Sequence, residues 1–371
     1  MKEYDIVIIG AGPGGSAAAR TAAEKGASVL MIEEHPQVGI PRHCTGLLMS
    51  SRFNAEIRKM VGEHVFLQPR RLVRVFAPSG KLLKEINIGD GGCCLTNRSE
   101  LDKELAKVAV NTGAGIMLNT KVTGLLKKNG QVTGVTTNSK EMPEINAKVV
   151  IVAGGLTAFT TGVSKTEGMT GPNEEFISAL MLELANVSDI EPDVIEWWYS
   201  EFETTAGCFF FEPVDAHSCI TDSRDMELFN RVKNGNYPFS YKIKNAYPVR
   251  VWGTGPSRVN VGKPLAKTYK DGMMIIGSAA GFNGIQPAIL TGRFAAEVAV
   301  EAIRAGDVSE SNLARYQEMW TATGMGHLYD YWRSLRIAMS GMADKGALEK
   351  DLEERVKRGE SLITSFVENY L

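Results

Sequence analysis

Apolar and polar positions at the start of the chain alternate between a strand pattern and a helix pattern. The apolar, β-branched run at Asp5–Ile9 predicts a strand buried on both faces, and a glycine-rich turn follows at residues 10–15. The alanine-rich residues 16–25 predict a helix that ends at Gly26, and residues 28–32 predict the next strand. Strand, glycine turn, helix and strand in this order predict a βαβ unit of a parallel sheet.

Strand patterns dominate the rest of the chain up to its last quarter. Further elements are predicted as follows: two strands around a turn at 77–80, a helix over 98–111, a hairpin turning at Asn129-Gly130, a buried strand over 149–153, an antiparallel sheet within 177–261, a buried strand over 273–276, a helix over 294–305 and helices within 309–371.

The elements predict an α/β (mixed α+β) fold whose nucleotide-binding domain is discontinuous in sequence. A Rossmann-type domain would contain an inserted antiparallel β-sheet domain for substrate and would be followed by C-terminal helices. The predicted bounds are 1–56, 95–156 and 265–308 for the nucleotide-binding domain, 57–94 and 157–264 for the substrate domain, and 309–371 for the helical region.

The glycine turn fits the dinucleotide-binding pattern G-x-G-x-x-G. Gly10 would make the tight turn, Gly12 would let the backbone approach a pyrophosphate, and Gly15 would let helix and strand pack closely. The helix start then offers free N–H groups to the phosphates. Glu33 ends the second strand and would accept hydrogen bonds from ribose hydroxyls. Because its charge would repel a 2′-phosphate, the site suits FAD or NAD better than NADP.

Composition excludes several classes of protein. The formal net charge of −2 provides no general basic field for nucleic acid, so we expect no nucleic-acid partner. The five cysteines and five histidines show neither a disulfide framework nor metal-ligand spacing, so we expect no metal site. No apolar run long enough to span a bilayer and no signal-peptide pattern is found, which predicts a cytoplasmic protein and leaves peripheral membrane contact open.

Later motifs favour FAD over NAD and carry a family resemblance. A simple NAD dehydrogenase would keep its fingerprint domain contiguous, whereas here Arg98–Asp102 opens a helix, residues 149–153 end in Gly154-Gly155, and Gly277–Phe282 separates a buried strand from a helix. With the segment Pro41–Gly46, these motifs resemble the geranylgeranyl reductase family of the p-hydroxybenzoate-hydroxylase-like flavoproteins. The most similar subgroup is the archaeal digeranylgeranylglycerophospholipid reductases, which act on ether lipids.

The resemblance implies an FAD site and places Cys44 beside the flavin as the candidate catalytic residue. Ser278 stands where the family usually has an aspartate, and the family's aromatic motif ending in Phe-Pro is matched loosely by residues 207–213. The expected cofactor-binding residues are Gly10, Gly12, Pro13, Gly14, Gly15, Glu33, Glu34, Arg42, His43, Cys44, Thr45, Gly46, Arg98, Val122, Gly154, Gly277, Ser278, Gly284 and Ile285.

The resemblance also implies reduction of isolated C=C bonds in geranylgeranyl or other isoprenoid chains by hydride transfer from reduced flavin. Trp198, Phe209 and Phe211 would line a lipid tunnel, with ordinary sheet core as the alternative. No second complete fingerprint is present, so NAD(P)H would bind transiently or a ferredoxin-like protein would deliver electrons. The competing functions are a flavin-dependent hydroxylase or halogenase of the same fold, and a non-catalytic electron-transfer flavoprotein.

Overall fold

The computed structural model has the mixed α/β fold that the sequence predicts. It describes residues 3–89, 93–155, 176–177, 180–199, 208–253, 257–258, 264–282, 284–325 and 345–358. In chain order, the strands are β1 (Glu3–Ile9), β2 (Val29–Ile32), β3 (Leu47–Met49), β4 (Phe66–Arg70), β5 (Leu72–Phe76), β6 (Leu82–Asn87), β7 (Cys93–Thr96), β8 (Gly115–Met117), β9 (Val122–Lys128), β10 (Gln131–Thr137), β11 (Glu144–Val152), β12 (Phe176–Ile177), β13 (Leu180–Ala185), β14 (Val194–Tyr199), β15 (Cys208–Pro213), β16 (Ser218–Ser223), β17 (Tyr247–Gly253), β18 (Ser257–Arg258), β19 (Tyr269–Lys270) and β20 (Met273–Ile275).

The α-helices of the described residues are α1 (Pro13–Glu24), α2 (Ser51–Val61), α3 (Arg98–Asn111), α4 (Met226–Asn234), α5 (Ser240–Ile243), α6 (Ile285–Ala305), α7 (Glu310–Leu313), α8 (Arg315–Ala322) and α9 (Lys345–Lys357). Short 3-10 helices cover Glu63–Val65 and Gly277–Ala280. Residues 156–175 and 326–344, which carry parts of the predicted substrate domain and helical region, lie outside the described residues.

The chain divides into two compact units, each assembled from three segments. The first unit comprises Met1–Ile40, Ser99–Glu175 and Asn260–Tyr329; the second comprises Pro41–Arg98, Phe176–Val259 and Asp330–Leu371. These bounds differ from the predicted ones at several places. Residues 41–56 and 95–98 belong to the second unit, residues 157–175 and 260–264 belong to the first, and the segment 309–371 is shared between the units instead of forming a region of its own.

A parallel sheet forms the centre of the first unit. Its strands follow the order β20-β11-β1-β2-β8, with β19 antiparallel at the edge beside β20. The hairpin β9–β10 adds to β11 in antiparallel fashion and turns at Asn129 (φ 52°) and Gly130 (φ 88°), as predicted. The left-handed backbone of these two residues matches the twist of a tight hairpin.

Helices α1 and α6 pack closely because small residues meet at their contact. Helix α1 buries three consecutive alanines, Ala17–Ala19. A Cβ atom at Gly292 of α6 would lie 2.3 Å from the carbonyl oxygen of Gly14. Helix α6 begins at Ile285, nine residues before the predicted start at 294. The sequence pattern hid this first part, because Pro287 and Gly292 are ordinarily helix breakers; Pro287 lies in the first turn, where its missing N–H costs little.

A mixed sheet forms the centre of the second unit, in the order β17-β13-β16-β15-β14-β5-β6. One face packs against α4 and α5, two helices that the strand-like pattern of residues 177–261 did not predict. Asp225 caps α4, since its side chain accepts a hydrogen bond from the backbone N–H of Leu228 (2.7 Å). On the other side of the unit, β3, β7 and β4 form a small antiparallel sheet.

A buried ion pair fixes α5 to the sheet of the second unit. Lys242 Nζ donates to Glu196 Oε1 (3.0 Å) and to the carbonyl oxygen of Asp189 (2.5 Å). The second oxygen of Glu196 accepts from Trp198 Nε1 (2.9 Å). Both charged side chains are buried, so each needs the other to offset its loss of hydration.

Within the ranges described above, no helix is long and apolar enough to cross a membrane.

We predict that Lys242→Met destabilises the protein by about 3–5 kcal/mol, because it leaves the Glu196 carboxylate buried without its cation. The free energy of unfolding from urea denaturation measures this effect. The matched control is Lys244→Met, which replaces an exposed lysine two residues away and should change stability by less than about 0.5 kcal/mol. Equal losses in the two variants would contradict a structural role for the ion pair.

Candidate cofactor and active site

The parallel strands of the first unit bring the predicted cofactor residues to one edge of the sheet. Ile9 of β1 lies beside Ile32 of β2 and Val152 of β11, and Val152 lies beside Ile275 of β20. The chain leaves this row at Gly10, Glu33, Gly154 and Gly277, which follow the strand ends closely. Ligands of open α/β sheets bind at the carboxyl ends of the strands, so this edge is the expected nucleotide site.

Steric tests at the glycine turn agree with a pyrophosphate site. Gly10 has a φ of +99°, and a Cβ there would lie 2.7 Å from the carbonyl oxygen of Ala153. A Cβ at Gly15 would lie 2.0 Å from the carbonyl oxygen of Gly10. Gly12 is different, because a Cβ there would meet nothing within 4 Å. Gly10 and Gly15 therefore serve internal packing, whereas packing does not require a glycine at position 12, whose predicted contact with a phosphate stays a prediction.

Glu33 is held in place by the turn itself. Its Oε2 accepts a hydrogen bond from the backbone N–H of Ala11 (3.0 Å), and its Oε1 accepts from the backbone N–H of His35 (3.1 Å) and contacts His35 Nδ1 (2.7 Å). The carboxylate is thus oriented at the mouth of the glycine turn, where a ribose would lie. Glu34 is exposed and pairs with Lys121 at 3.6 Å, so its predicted cofactor contact stays a prediction.

Other predicted cofactor residues lie in the first unit. Gly277 has a φ of +57° and donates its N–H to Thr291 Oγ1 (3.1 Å), which joins the turn after β20 to helix α6. Ser278 is half-buried and donates to the carbonyl oxygen of Phe282 (3.3 Å). The remaining residues of this group have these positions: Pro13 starts α1, Gly14 contacts α6, Val122 starts β9, Gly284 precedes α6 and Ile285 begins it.

The segment from Arg42 to Gly46 lies in the second unit, and its carbonyl oxygens accept hydrogen bonds that hold it in place. Arg42 Nε donates to the carbonyl oxygen of Cys44 (2.9 Å), and the same guanidinium donates to the carbonyl oxygen of Thr45. Gly46 has a φ of +100°, and its carbonyl oxygen accepts from the N–H (3.0 Å) and the hydroxyl (2.7 Å) of Thr96. These bonds give the loop one defined shape.

The loop presents the candidate catalytic residue in a partly accessible position. Cys44 is half-buried and carries a free thiol, while His43 is exposed. Arg98 begins α3 and is half-buried near the loop, since a Cβ at Gly46 would lie 3.1 Å from its Cγ. The roles of Cys44, His43 and Arg98 towards the flavin stay predictions.

The three predicted aromatic residues lie together on one face of the second unit's large sheet. Trp198, Phe209 and Phe211 lie on the face towards α4 and α5, where Phe76 stacks on Trp198 at 3.9 Å and Phe239 contacts both phenylalanines. Phe209 and Phe211 are fully buried. These three side chains therefore form the sheet core, which the sequence analysis named as the alternative.

The opposite face carries an apolar cluster that the sequence analysis did not single out. Its members are buried, and Met181, Phe210 and Trp252 are 7–8% exposed. The guanidinium of Arg42 lies over the ring of Trp252 at 4.7 Å, so the cluster adjoins the Cys44 loop. Alternation along β15 places Phe210 on the face opposite its two neighbours, as three successive aromatic residues in a strand predict. The apolar cluster comprises Leu95, Met181, Phe210, Ile220 and Trp252.

One acidic side chain shares this face. Glu212 lies two residues after Phe210 on β15, and its carboxyl group forms a hydrogen bond with the hydroxyl of Thr45 in the loop. Burial away from water raises the pKa of Glu212 to about 7, against the opposing effects of Thr45 and of the Arg70 charge. An acid that keeps its proton near neutral pH is thus placed beside the Cys44 loop.

Two alanine substitutions should separate the cofactor contact from internal packing. We predict that Gly12→Ala leaves the unfolding free energy of the FAD-free protein within about 0.5 kcal/mol of the wild type, since only open space receives the methyl group. The same methyl group should raise the dissociation constant for FAD at least about tenfold, by displacing the pyrophosphate.

The matched control is Gly15→Ala, whose methyl group would overlap the carbonyl oxygen of Gly10. It should lower the unfolding free energy by at least about 2 kcal/mol even without FAD. Flavin fluorescence titration and urea denaturation measure the two effects. Unchanged FAD affinity in Gly12→Ala would count against a phosphate at this turn.

Solved structures share this fold. A geranylgeranyl bacteriochlorophyll reductase-like protein from Thermoplasma acidophilum superposes with a TM-score of 0.81 at 26% identity, over 95% of this chain and 92% of that one. A flavin-dependent brominase superposes with a TM-score of 0.75 at 20% identity, over 99% of this chain and 94% of that one. The second likeness shows the fold alone.

Sequence relatives identify the family. The model of the FAD dependent oxidoreductase family matches residues 5–269. The digeranylgeranylglycerophospholipid reductase of Methanosphaerula palustris is 30% identical over 88% of this chain and 84% of its own length. The enzyme of the same name from Thermoplasma acidophilum is 27% identical over 86% of this chain and 83% of its own. With the glycine turn, Glu33 and the strand-end row already described, these matches show that the chain belongs to the FAD-dependent oxidoreductases and, within them, to the geranylgeranyl reductase family.

Proposed function

We propose that this FAD-dependent oxidoreductase saturates isolated C=C bonds in the geranylgeranyl chains of an archaeal-type ether lipid. The observation that carries the proposal is the apolar cluster beside the Cys44 loop, whose side chains are at most 8% exposed and would form an apolar wall for a hydrocarbon chain next to the candidate catalytic residue. The names of the relatives from Methanosphaerula palustris and Thermoplasma acidophilum support this substrate class.

The chemistry asks little of individual side chains. Bound FAD, once reduced, would supply a hydride to one alkene carbon. An isolated C=C bond develops no oxyanion, so an oxyanion hole has no use here. The protein's part is to hold the chain in place, exclude water and deliver one proton. Phe210, Ile220 and Trp252 would orient the chain, and Cys44 would lie beside the reacting carbons.

The electrons would come from a donor that binds transiently. Only one dinucleotide fingerprint occurs in the sequence, at residues 10–15, and we assign it to FAD. NAD(P)H or a reduced ferredoxin-like protein would therefore reduce the flavin from solution. The carboxylate of Glu33 would keep a 2′-phosphate out of the FAD ribose pocket. NADPH would therefore bind only transiently and outside that pocket.

Other flavin chemistries share the fold. The structural neighbours include a flavin-dependent brominase at 20% identity and a p-nitrophenol 4-monooxygenase at 11% identity. Those identities support a common fold and no common reaction. A halogenase, a hydroxylase or an electron-transfer flavoprotein would not saturate a C=C bond of an isoprenoid lipid, so lipid reduction distinguishes the reductase from all three.

We predict that reduced enzyme adds about 2 Da per saturated double bond to a geranylgeranyl ether lipid. Mass spectrometry of lipid extracts, taken after incubation with the dithionite-reduced holoenzyme, measures the gain. Oxidised holoenzyme is the control and should leave the lipid unchanged. Unchanged lipid with dithionite, NADPH and reduced ferredoxin alike would overturn the proposal. Rapid NADPH oxidation stimulated by an aromatic acid would replace it with a hydroxylase.

We further propose that the protein reaches its substrate by peripheral contact with an anionic membrane through strand β17. Within the described residues β17 is an edge strand of its sheet, and Tyr247, Val249 and Val251 on it are 68%, 64% and 48% exposed. Apart from the buried Lys242, residues 226–253 contain four basic side chains and one acidic one, and Lys233 lies over the Tyr247 ring at 4.4 Å. Exposed apolar side chains among basic ones favour an anionic lipid surface.

The double variant Val249→Glu/Val251→Glu should bind anionic phospholipid vesicles at least about tenfold more weakly, because two apolar side chains lose their burial and two charges oppose the lipid. Vesicle sedimentation measures the affinity. Leu82→Glu is the matched control, since Leu82 is 46% exposed on β6 at the other edge of the same sheet. Equal binding by all three proteins would overturn the β17 proposal. A wild-type dimer that the double variant abolishes would assign the strand to self-association instead.

A further inference from the structure

Glu212 has a buried carboxyl oxygen without a hydrogen-bond partner among the described residues. The residue is 4% exposed on β15, on the same sheet face as Phe210 of the apolar cluster. Among the described residues its Oε2 has no hydrogen-bond partner, although the carboxyl group is bonded to Thr45 on its other side. Buried polar atoms are nearly always paired, so an unpaired carboxyl oxygen at a candidate active site indicates a role in binding or chemistry.

The charges around Glu212 control its protonation. Arg70 on β4 and Arg42 in the loop favour the carboxylate, and Asp222 on β16 favours the neutral acid. Arg70 is itself anchored by a hydrogen bond to the carbonyl oxygen of Pro213. Cys93 on β7 is buried and its pKa is raised well above the ordinary value, so it stays neutral beside this group. Burial raises the pKa of Glu212 by more than the two arginines lower it, so the carboxyl group holds its proton up to a pH of about 7.

We propose that Glu212 is the proton donor of the reaction, delivering the proton from its unpartnered carboxyl oxygen to the alkene carbon that does not receive the hydride. This inference rests on the proposed function. The C=C π bond breaks and two C–H bonds form; the hydride carries both electrons, so reduced FAD is oxidised and the alkene is reduced. Glu212 becomes a carboxylate, which solvent reprotonates before the next turnover.

The surroundings suit both halves of this cycle. The apolar cluster beside Glu212 excludes the water that would otherwise deliver the proton. After donation, the Thr45 hydroxyl and the charges of Arg42 and Arg70 stabilise the carboxylate that remains. The exposed His43 lacks these surroundings, and Glu183 on the same face is already paired with Arg250 at 3.8 Å.

The first test compares Glu212→Gln with Glu212→Asp and with Glu183→Gln as the matched control. Lipid reduction is followed in single turnovers of the pre-reduced holoenzyme across pH. Glu212→Gln should slow the reaction at least about 100-fold and keep normal FAD affinity. Glu212→Asp should restore part of the rate. The wild-type and Glu183→Gln rates should fall as pH rises through about 7. A wild-type rate and pH profile in Glu212→Gln would overturn the inference.

A second test needs no turnover. A carboxyl group whose folded-state pKa is raised from 4.5 to about 7 binds its proton only in the folded state within that interval. The free energy of unfolding of the wild type should therefore fall as pH rises from 4.5 to 7, and this dependence should be weaker in Glu212→Gln. Equal pH dependence in both proteins would overturn the inference.

The two tests also distinguish this inference from the proposed function. If the wild type reduces lipid and Glu212→Gln does so equally fast, Glu212 is not the donor and the reductase assignment stands. If the wild type reduces no lipid with any donor, the reductase assignment fails and the donor role fails with it, whatever the stability measurements give.

Discussion

Backbone-to-backbone contact around helix α1 is the constraint on which the cofactor site depends. Gly15 lies against the carbonyl oxygen of Gly10, and Gly292 of α6 lies against that of Gly14, at separations that would admit no side chain. These contacts seat the start of α1 directly behind the end of β1. The free N–H groups of the helix start therefore point to the edge where β1, β2, β11 and β20 end together. The nucleotide site that we propose at this edge would result from backbone packing rather than from many specific side chains.

Sequence reasoning succeeded where the controlling interactions are local. The glycine turn, the hairpin at Asn129-Gly130 and helix α3 were predicted because backbone conformation and periodicity within a dozen residues determine them. It failed where contacts between residues distant in sequence determine an element's bounds or the unit to which a segment belongs. The start of α6 contains Pro287 and Gly292, and only the contact with α1 explains why a helix accommodates both. Likewise, residues 41–56 follow the first βαβ unit directly, yet their partners belong to the second unit.

Strand β15 shows a second limit of the sequence. Three phenylalanines in succession must point to alternate faces, but the residues themselves do not say which face meets the helices α4 and α5. Those helices, hidden in a strand-rich pattern, bury Phe209 and Phe211, and the face with Phe210 and Glu212 is left for the Cys44 loop. An acidic residue at an inward position of an aromatic strand was the one indication present in the sequence.

The interleaved order of the strands has a consequence for how the protein is made. In the first unit β11 pairs with β1, more than a hundred residues upstream, and with β20, more than a hundred residues downstream. The ribosome must therefore release residues up to 275 before the parallel sheet can close, and at about 5–20 residues per second the early strands wait many seconds. During that wait the apolar end of β11 lacks its partner β20, so nascent chains should depend on chaperones until residue 275 has been released.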